Sequence, residues 1–410
     1  MKDLRKKADY ITEKAIQAVL PDEAVKRALS GREFTGRVVL VAIGKAAYQM
    51  ARAASDIMGD RIDRGIVITK YDHVKGTIPD CECFEAGHPV PDENSFRATE
   101  RAIEMVCGLT EDDTVLFLVS GGGSALFEKP LIPGEELQDI TDQLLKSGAS
   151  ITEMNTIRKR LSAVKGGRFA EICAPAKVFS IVLSDIIGDP LDMIASGPAY
   201  PDSSTCEEAF HILRKYDLKL SDTAMALLAE ETPKELSNVE TVITGSVREL
   251  CKAAAKACDE LGYETRILTD RLDCEARDAG AWFAEFAEEH RNPDRKLAFI
   301  AGGETVVHIR GAGLGGRNQE LALTAAQGIS GMKAAVFSVG SDGTDGPTDA
   351  AGGYVDGDSA ADFEAEGISI TEALNNNDSY NALKAIGGLI ITGPTGTNVN
   401  DFACLLVEPE

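Results

Sequence analysis

The residues of this chain best suited to chemistry lie in glycine-rich turns that follow apolar, β-type runs. VVLVAIGKAA (38–47) carries Lys45, and TVLFLVSGGGSAL (114–126) carries Ser120, Gly121, Gly122, Gly123 and Ser124. TVVHIRGAGLGGRNQE (305–320) carries Arg317 and Asn318, and AAVFSVGSDGTDG (334–346) ends in Asp342 and Asp345. Glycine lets the backbone approach a ligand closely with its N–H groups turned inward. A helix that begins straight after such a turn adds partial positive charge. The repeated strand–turn–helix pattern predicts a protein that holds an anionic ligand, a phosphate.

Each turn has its own chemistry and its own plainer alternative. Ser120–Ser124 offers consecutive N–H donors and two hydroxyls, suited to the phosphate tail of ADP or ATP; the alternative is a turn that needs glycine only for geometry. Nothing matches G-x-x-x-x-G-K-[ST], yet Lys45 in its AIGKAA turn can reach a phosphate as a mobile point charge. Gly311, Gly313 and Gly316 spell G-x-G-x-x-G, here expected after a strand, but Asp342 lies too far downstream for the acidic partner of a dinucleotide site. Arg317, at a helix start beside glycines, suits a transferring phosphoryl group; a capping network is the plainer role for Asn318 and Glu320. Asp185, Asp189, Asp342, Asp345 and Asp349 are candidate magnesium ligands or proton acceptors, the strand-terminal Asp185 and Asp342 foremost. Magnesium takes one or two carboxylates with phosphates and water, while loop aspartates often only form turns.

Arg158, Lys159, Arg160, Lys165 and Arg168 form the densest basic cluster. A solvated helix face is the default for such a run. The adjoining Gly166–Gly167 favours an anion site in which Arg160 or a neighbour takes a substrate carboxylate. Neither Ser-His-Asp nor Cys-His chemistry is supported by the five histidines. His308 reads as structural, and Cys81, Cys83 and His88 lack a fourth ligand at zinc spacing.

The elements that position these groups follow from length and pattern. A chain of 410 residues exceeds one ordinary core, and two domains are expected. The polar segment 231–238 divides 1–235 from 236–410. With 66 acidic against 42 basic residues the net charge is −24, which excludes broad nucleic-acid or anionic-membrane binding. A substrate anion must then be gathered by local basic groups. The apolar runs fall far short of the ~20 residues a bilayer requires. The amino terminus has no apolar signal core and reads as an amphipathic helix running from Leu4 to Ser30. Nine cysteines without a disulfide rhythm predict a reduced, cytoplasmic chain. Strands alternating with helices predict right-handed crossovers, a mostly parallel sheet and a ligand at the strands' carboxyl ends. Lys45, Ser120–Ser124 and Asp185–Asp189 all fall at such ends.

Eight ordered blocks resemble the glycerate 2-kinase family, whose carboxy-terminal part is the MOFRL domain. They are AIGKAA (42–47), GHPVPDENS (87–95), LVSGGGSAL (118–126), NTIRKRLSAVKGGRFA (155–170), LSDIIGDPLDMIASGPAYPD (183–202), GGETVVHIRGAGLGGRNQELAL (302–323), SDGTDGPTDAAGG (341–353) and GPTGTNVND (393–401). The resemblance implies two α/β domains, the first Rossmann-like, with an active-site cleft between them. It implies ATP-dependent phosphorylation of D-glycerate at its 2-hydroxyl with a divalent metal, Mg2+, and Lys45 with Arg317 as the catalytic pair. On that reading Ser120–Ser124 holds the nucleotide, and Arg160, Lys165 and Asn318 bind substrate. Asp185 accepts the hydroxyl proton, and Asp189 and Asp342 hold the metal. A homo-oligomer is compatible with it. Two rivals stand beside it: an NAD(P)H-dependent hydroxypyruvate reductase built on Gly311–Gly316, and a non-catalytic sugar-acid or nucleotide sensor.

Overall fold

The computed structural model describes residues 2–410. In its first half, β1 (Val38–Ile43), β4 (Thr114–Val119) and β5 (Lys177–Leu183) are apolar almost throughout, and nearly every residue in them is buried. Such strands belong in the middle of a sheet covered on both faces. With β2 (Ile62–Lys70), β3 (Cys81–Ala86) and β6 (Val239–Gly245) they form one six-stranded sheet in the order β3-β2-β1-β4-β5-β6. The pairs β1–β2, β2–β3, β1–β4 and β4–β5 are parallel. The chain winds outward from β1 to β3, then returns to β1's other side with β4. That reversal is the switch point where doubly wound sheets open a crevice at the carboxyl ends of their strands. The Lys45 turn follows β1 and the Ser120–Ser124 turn follows β4, so both predicted phosphate turns sit at it.

The helices confirm the pattern with local shifts. Glu93–Val106 starts earlier than Ser95, because Asp92 rather than Asn94 or Ser95 caps it: its carboxylate accepts from Ser95 N at 3.0 Å, and Asp92 N donates to Ser95 Oγ at 3.2 Å. The basic segment divides into helices Ile151–Arg160 and Arg168–Cys173, parted by Gly166 and Gly167 at φ 59° and 88°, left-handed values that favour glycine. The amino-terminal periodicity is two helices, Lys2–Ala18 and Pro21–Leu29, since Pro21 is suited to a first helical position and not to an interior one.

The second half departs from the expected parallel pattern. Its sheet has β7 (Glu264–Leu272), β8 (Leu297–Gly303), β9 (Ala334–Gly340), β10 (Gly352–Asp356), β11 (Leu389–Ile390) and β12 (Asp401–Val407) in the order β11-β10-β9-β12-β8-β7. Only β7–β8 is parallel. The last strand, β12, lies antiparallel to both β8 and β9. The run TVVHIR (305–310) is not a strand; Val306 makes a single bridge to Glu275 and the rest belongs to no regular element. Alternation alone does not make a strand.

By internal contacts the chain forms two compact units. One is 25–183 with 189–244; the other is 1–24, 184–188 and 245–410. The division at 244/245 lies near the expected 235/236, but the first 24 residues join the carboxy-terminal unit. The reason is apolar: Leu4, Ala8, Ile11, Ala15 and Val19 share a core with Leu250, Ala254, Ile300 and Phe337. Among the described residues no helix is long and apolar enough to cross a membrane, and all nine cysteines are free thiols.

Candidate functional site

At the switch point of the first sheet, the two turns brace each other. Lys45 N donates to Gly121 O at 2.9 Å, and Ser120 N donates to Ile43 O at 3.0 Å. Ser120 is buried; its hydroxyl donates to Ile43 O and accepts from Ala46 N, both at 3.1 Å. Gly44 has φ 108°, and a Cβ there would stand 2.3 Å from Ser120 Oγ, so the junction admits only glycine. Ser120 is therefore a brace and not an open hydroxyl.

The next four residues are different. Among the described residues, the N–H groups of Gly121, Gly122, Gly123 and Ser124 meet no protein acceptor. Gly122 has φ 85°, a left-handed conformation that turns successive N–H groups to one side. Four uncommitted donors in a row are the chemistry an anion's oxygens satisfy. Ser124 Oγ pairs with Ser196 Oγ at 2.9 Å, and Ser196 Oγ donates to Asn155 Oδ1 at 3.1 Å. Ala195 and Ser196, at φ 51° and 61°, are buried non-glycine residues in the left-handed region, a local strain of the sort found at functional sites.

The surroundings are cationic in an acidic chain. A Cβ at Gly122 would stand 2.9 Å from the His88 ring and 3.2 Å from Lys45 Cγ. Burial first, then the charges of Lys45, Lys70 and His73, hold the His88 imidazole below its usual value. Lys45 is exposed, and its ammonium makes no ion pair or hydrogen bond among the described residues. Sequence reasoning left His88 without a role and missed Lys70, His73 and the strained Ala195–Ser196 pair. The available signals were the GHPVP block for His88 and the IASGP block for Ala195 and Ser196; Lys70 and His73 lie in neither.

The expected substrate binders are placed otherwise. Arg160 is fully buried, donating to Thr156 O and Ser204 Oγ at 2.9 Å and to Ser204 O at 3.0 Å, with Glu231 at 3.3 Å. Lys165 is fully buried against Glu128 at 2.8 Å and donates to Ser124 O and Phe127 O at 2.8 and 3.0 Å. Both correct the expectation: a buried cation needs partners, and theirs are internal. Lys165 instead ties down the carbonyl side of the glycine turn.

In the other unit, Arg317 opens the helix Arg317–Ala325 and is half-buried. Its guanidinium meets Asp401 at 2.5 and 3.0 Å and Glu304 at 2.9 Å. Burial works against that charge, but the Asp401 hydrogen bonds and the surrounding carboxylates raise its value above normal. The helix start itself is taken: Asp345, buried, accepts from Asn318 N at 3.2 Å and from Gln319 N at 2.9 Å. Asn318 is buried as well, bonded to Asp345 and to Ser338 Oγ at 2.6 Å, so it caps and packs rather than facing a substrate.

The G-x-G-x-x-G segment is likewise committed. Arg310 N and Gly311 N donate to Asn377 Oδ1 at 2.7 and 3.0 Å, Ala312 N to Asn376 Oδ1, Gly313 N to Asn376 O, and Leu314 N to Asp378 Oδ1. No donor run is left there for a pyrophosphate. Of the candidate carboxylates, Asp342 lies two residues past β9 and accepts from Thr344 N at 2.9 Å, as a turn former does. Asp185 lies two residues past β5, part-exposed. Asp189 has φ 52° and a buried Oδ1 with no partner. Among the described residues no three His, Cys, Asp or Glu side chains gather as a metal site.

Comparison with known proteins places this molecule. A model described as a domain of unknown function (DUF4147) matches residues 7–229, and the MOFRL family model matches 297–401. The chain is 54% identical to the D-glycerate 2-kinase of Thermotoga maritima over 98% of both, and 41% identical to the glycerate 2-kinase of Pyrococcus horikoshii over 99% of this chain and 98% of that one. The crystal structure of a Thermotoga maritima glycerate kinase superposes with a TM-score of 0.94 at 53% identity, covering 99% of this chain and all of that one. The chain belongs to the glycerate 2-kinase family.

Proposed function

We propose that this protein transfers the γ-phosphoryl group of ATP to the 2-hydroxyl of D-glycerate. The observation that carries the reading is the run of four uncommitted N–H groups at Gly121–Ser124, beside the unpaired Lys45, in a chain of net charge −24. The names and high identity of its relatives support the same activity.

Phosphoryl transfer asks a protein chiefly for alignment and charge neutralisation. The Gly121–Ser124 donors bind nucleotide phosphate oxygens. Lys45 follows the moving charge as a flexible point cation, and Arg317, aimed by Asp401 and Glu304, supplies a planar one. Asp185 is the proposed acceptor of the hydroxyl proton. The carboxylates fit a magnesium ion that arrives with the nucleotide and needs one or two protein ligands, not a site built wholly of protein. Asp189, with its orphaned buried oxygen, fits best as such a ligand, and Asp342 is the second candidate. The metal would neutralise phosphate charge.

A nicotinamide-dependent reductase lacks support, because the N–H groups of 310–314 are already satisfied within the protein. The test is one incubation with ATP, magnesium and D-glycerate, read by phosphorus NMR. The expected product is 2-phosphoglycerate with equimolar ADP. A 3-phosphoglycerate signal, or ATP bound without ADP forming, would refute the assignment.

A further inference from the structure

Five cations crowd 158–168, and the structure accounts for four of them. Lys159 lies 3.0 Å from Asp202 and 3.6 Å from Asp192. Arg160 is spent on Ser204, Thr156 O and Glu231, and Lys165 on Glu128 and two carbonyls. Arg168 donates to the carbonyls of Lys159, Arg160 and Ser162. Arg158 alone is left over. Among the described residues its guanidinium makes no hydrogen bond or ion pair, and its Nε is sealed from solvent without a partner. A partly desolvated cation with no bonded counter-ion is costly, and proteins rarely keep one without use.

Its position is informative. Arg158 lies three residues after Asn155 on the helix Ile151–Arg160, hence on the same face. Asn155 is joined through Ser196 to Ser124 of the glycine turn. Glu128 is the carboxylate whose charge bears on Arg158, and it already faces Lys165 at 2.8 Å. Lys165 in turn holds the carbonyl of Ser124. Around the end of the glycine turn there are thus one fully buried and one partly buried cation and a single carboxylate. The cluster is short of one negative charge.

The geometry points to Arg158 as the residue that takes the carboxylate of the hydroxy-acid substrate, completing this unbalanced cluster with the anion it lacks. A guanidinium's parallel N–H groups match a carboxylate's two oxygens. The inference rests on the glycerate kinase reading for the identity of the acid, but not for the presence of an anion site.

The experiment is calorimetric and kinetic, on the full chain, for Arg158→Gln and Arg158→Lys. For Arg158→Gln, Kd and KM for D-glycerate rise about ten- to a hundredfold, while those for ATP stay within about twofold. Arg158→Lys falls between, having charge without the fork. Thermal unfolding of both is unchanged or shifted upward, since no native partner is lost. Unchanged D-glycerate binding in both variants overturns the proposal. So does a loss confined to ATP, which would make the missing anion a phosphate. A loss of both ligands with a fall in melting temperature would show a structural arginine and overturn it too. If the wild type binds D-glycerate but forms no ADP, the kinase reading fails while the carboxylate assignment is still decided by calorimetry.

Discussion

The two glycine-rich turns at 120–124 and 310–316 look alike in sequence and are used in opposite ways. In the first, the N–H groups of Gly121–Ser124 meet no protein acceptor among the described residues. In the second, five consecutive N–H groups are consumed by Asn376, Asn377 and Asp378. The glycines differ accordingly. Gly122 is needed for its left-handed φ and for room beside Lys45 and His88. Gly311 and Gly313 are needed because a Cβ would run into the backbone of Asn376 and the Cβ of Asp378 at 2.4–2.5 Å. A glycine motif marks a close approach; what approaches is decided by whether the donors are already spoken for.

The same contrast separates the two proposed catalytic cations, and breaking each is the largest expected effect. Lys45→Ala and Arg317→Ala should each lose kcat by on the order of 10²–10³. They should part on stability. The Lys45 ammonium has no partner among the described residues, so Lys45→Ala keeps its melting temperature. Arg317→Ala strands the buried Asp401 and costs roughly 3 kcal/mol. Denaturant unfolding alongside steady-state rates reads both, and equal stability losses in the two variants would erase the distinction drawn here.

Next in size is the pair Gly122→Ala and Gly313→Ala. The first should lower kcat/KM by about 10- to 10²-fold, because the strain and the His88 contact displace the donors. The second should leave the rate per folded molecule intact and lower stability by about 1–3 kcal/mol. Smaller again is Asn377→Ala, which orphans Arg310 N and Gly311 N. It is expected to cost about 1–3 kcal/mol with KM for ATP unmoved; a raised KM for ATP would mean that the 310–316 turn holds nucleotide after all.

Much of this was readable from residue types. VVLVAI and TVLFLV announce central strands because nothing polar interrupts them, and the turns after them fall at the switch point by topology alone. What sequence hides is pairing at a distance. Arg160 and Lys165 count as available cations until Ser204, Glu231 and Glu128 are seen to enclose them. The helix start at Arg317 counts as an anion site until Asp345 is found seated on it. TVVHIR alternates like a strand but pairs only through the single Val306–Glu275 bridge. The amino-terminal helix carries a clear apolar stripe, yet its partner lies more than two hundred residues away. In each case local chemistry was legible and the counterpart was not.

The smallest effect tests how firmly Arg317 is held. Burial, with Asp345 and Glu304 adding repulsion, pushes the Asp401 carboxyl up to about 6 although Arg317 opposes the shift. Since the folded value lies above the ordinary 3.8, the native state keeps a proton that the unfolded chain has released. Stability therefore falls as pH rises from about 4 to about 6 and is level above. Activity runs the other way, because only the ionised carboxylate aims the guanidinium. At pH 5.5, kcat/KM should be roughly fourfold below its plateau, following the ionised fraction of a group titrating near 6. Asp401→Asn should start lower and lose that acid limb, since its amide cannot titrate. A limb that persists unchanged in Asp401→Asn would assign the titration elsewhere, with His88 at the glycine turn the next group to replace.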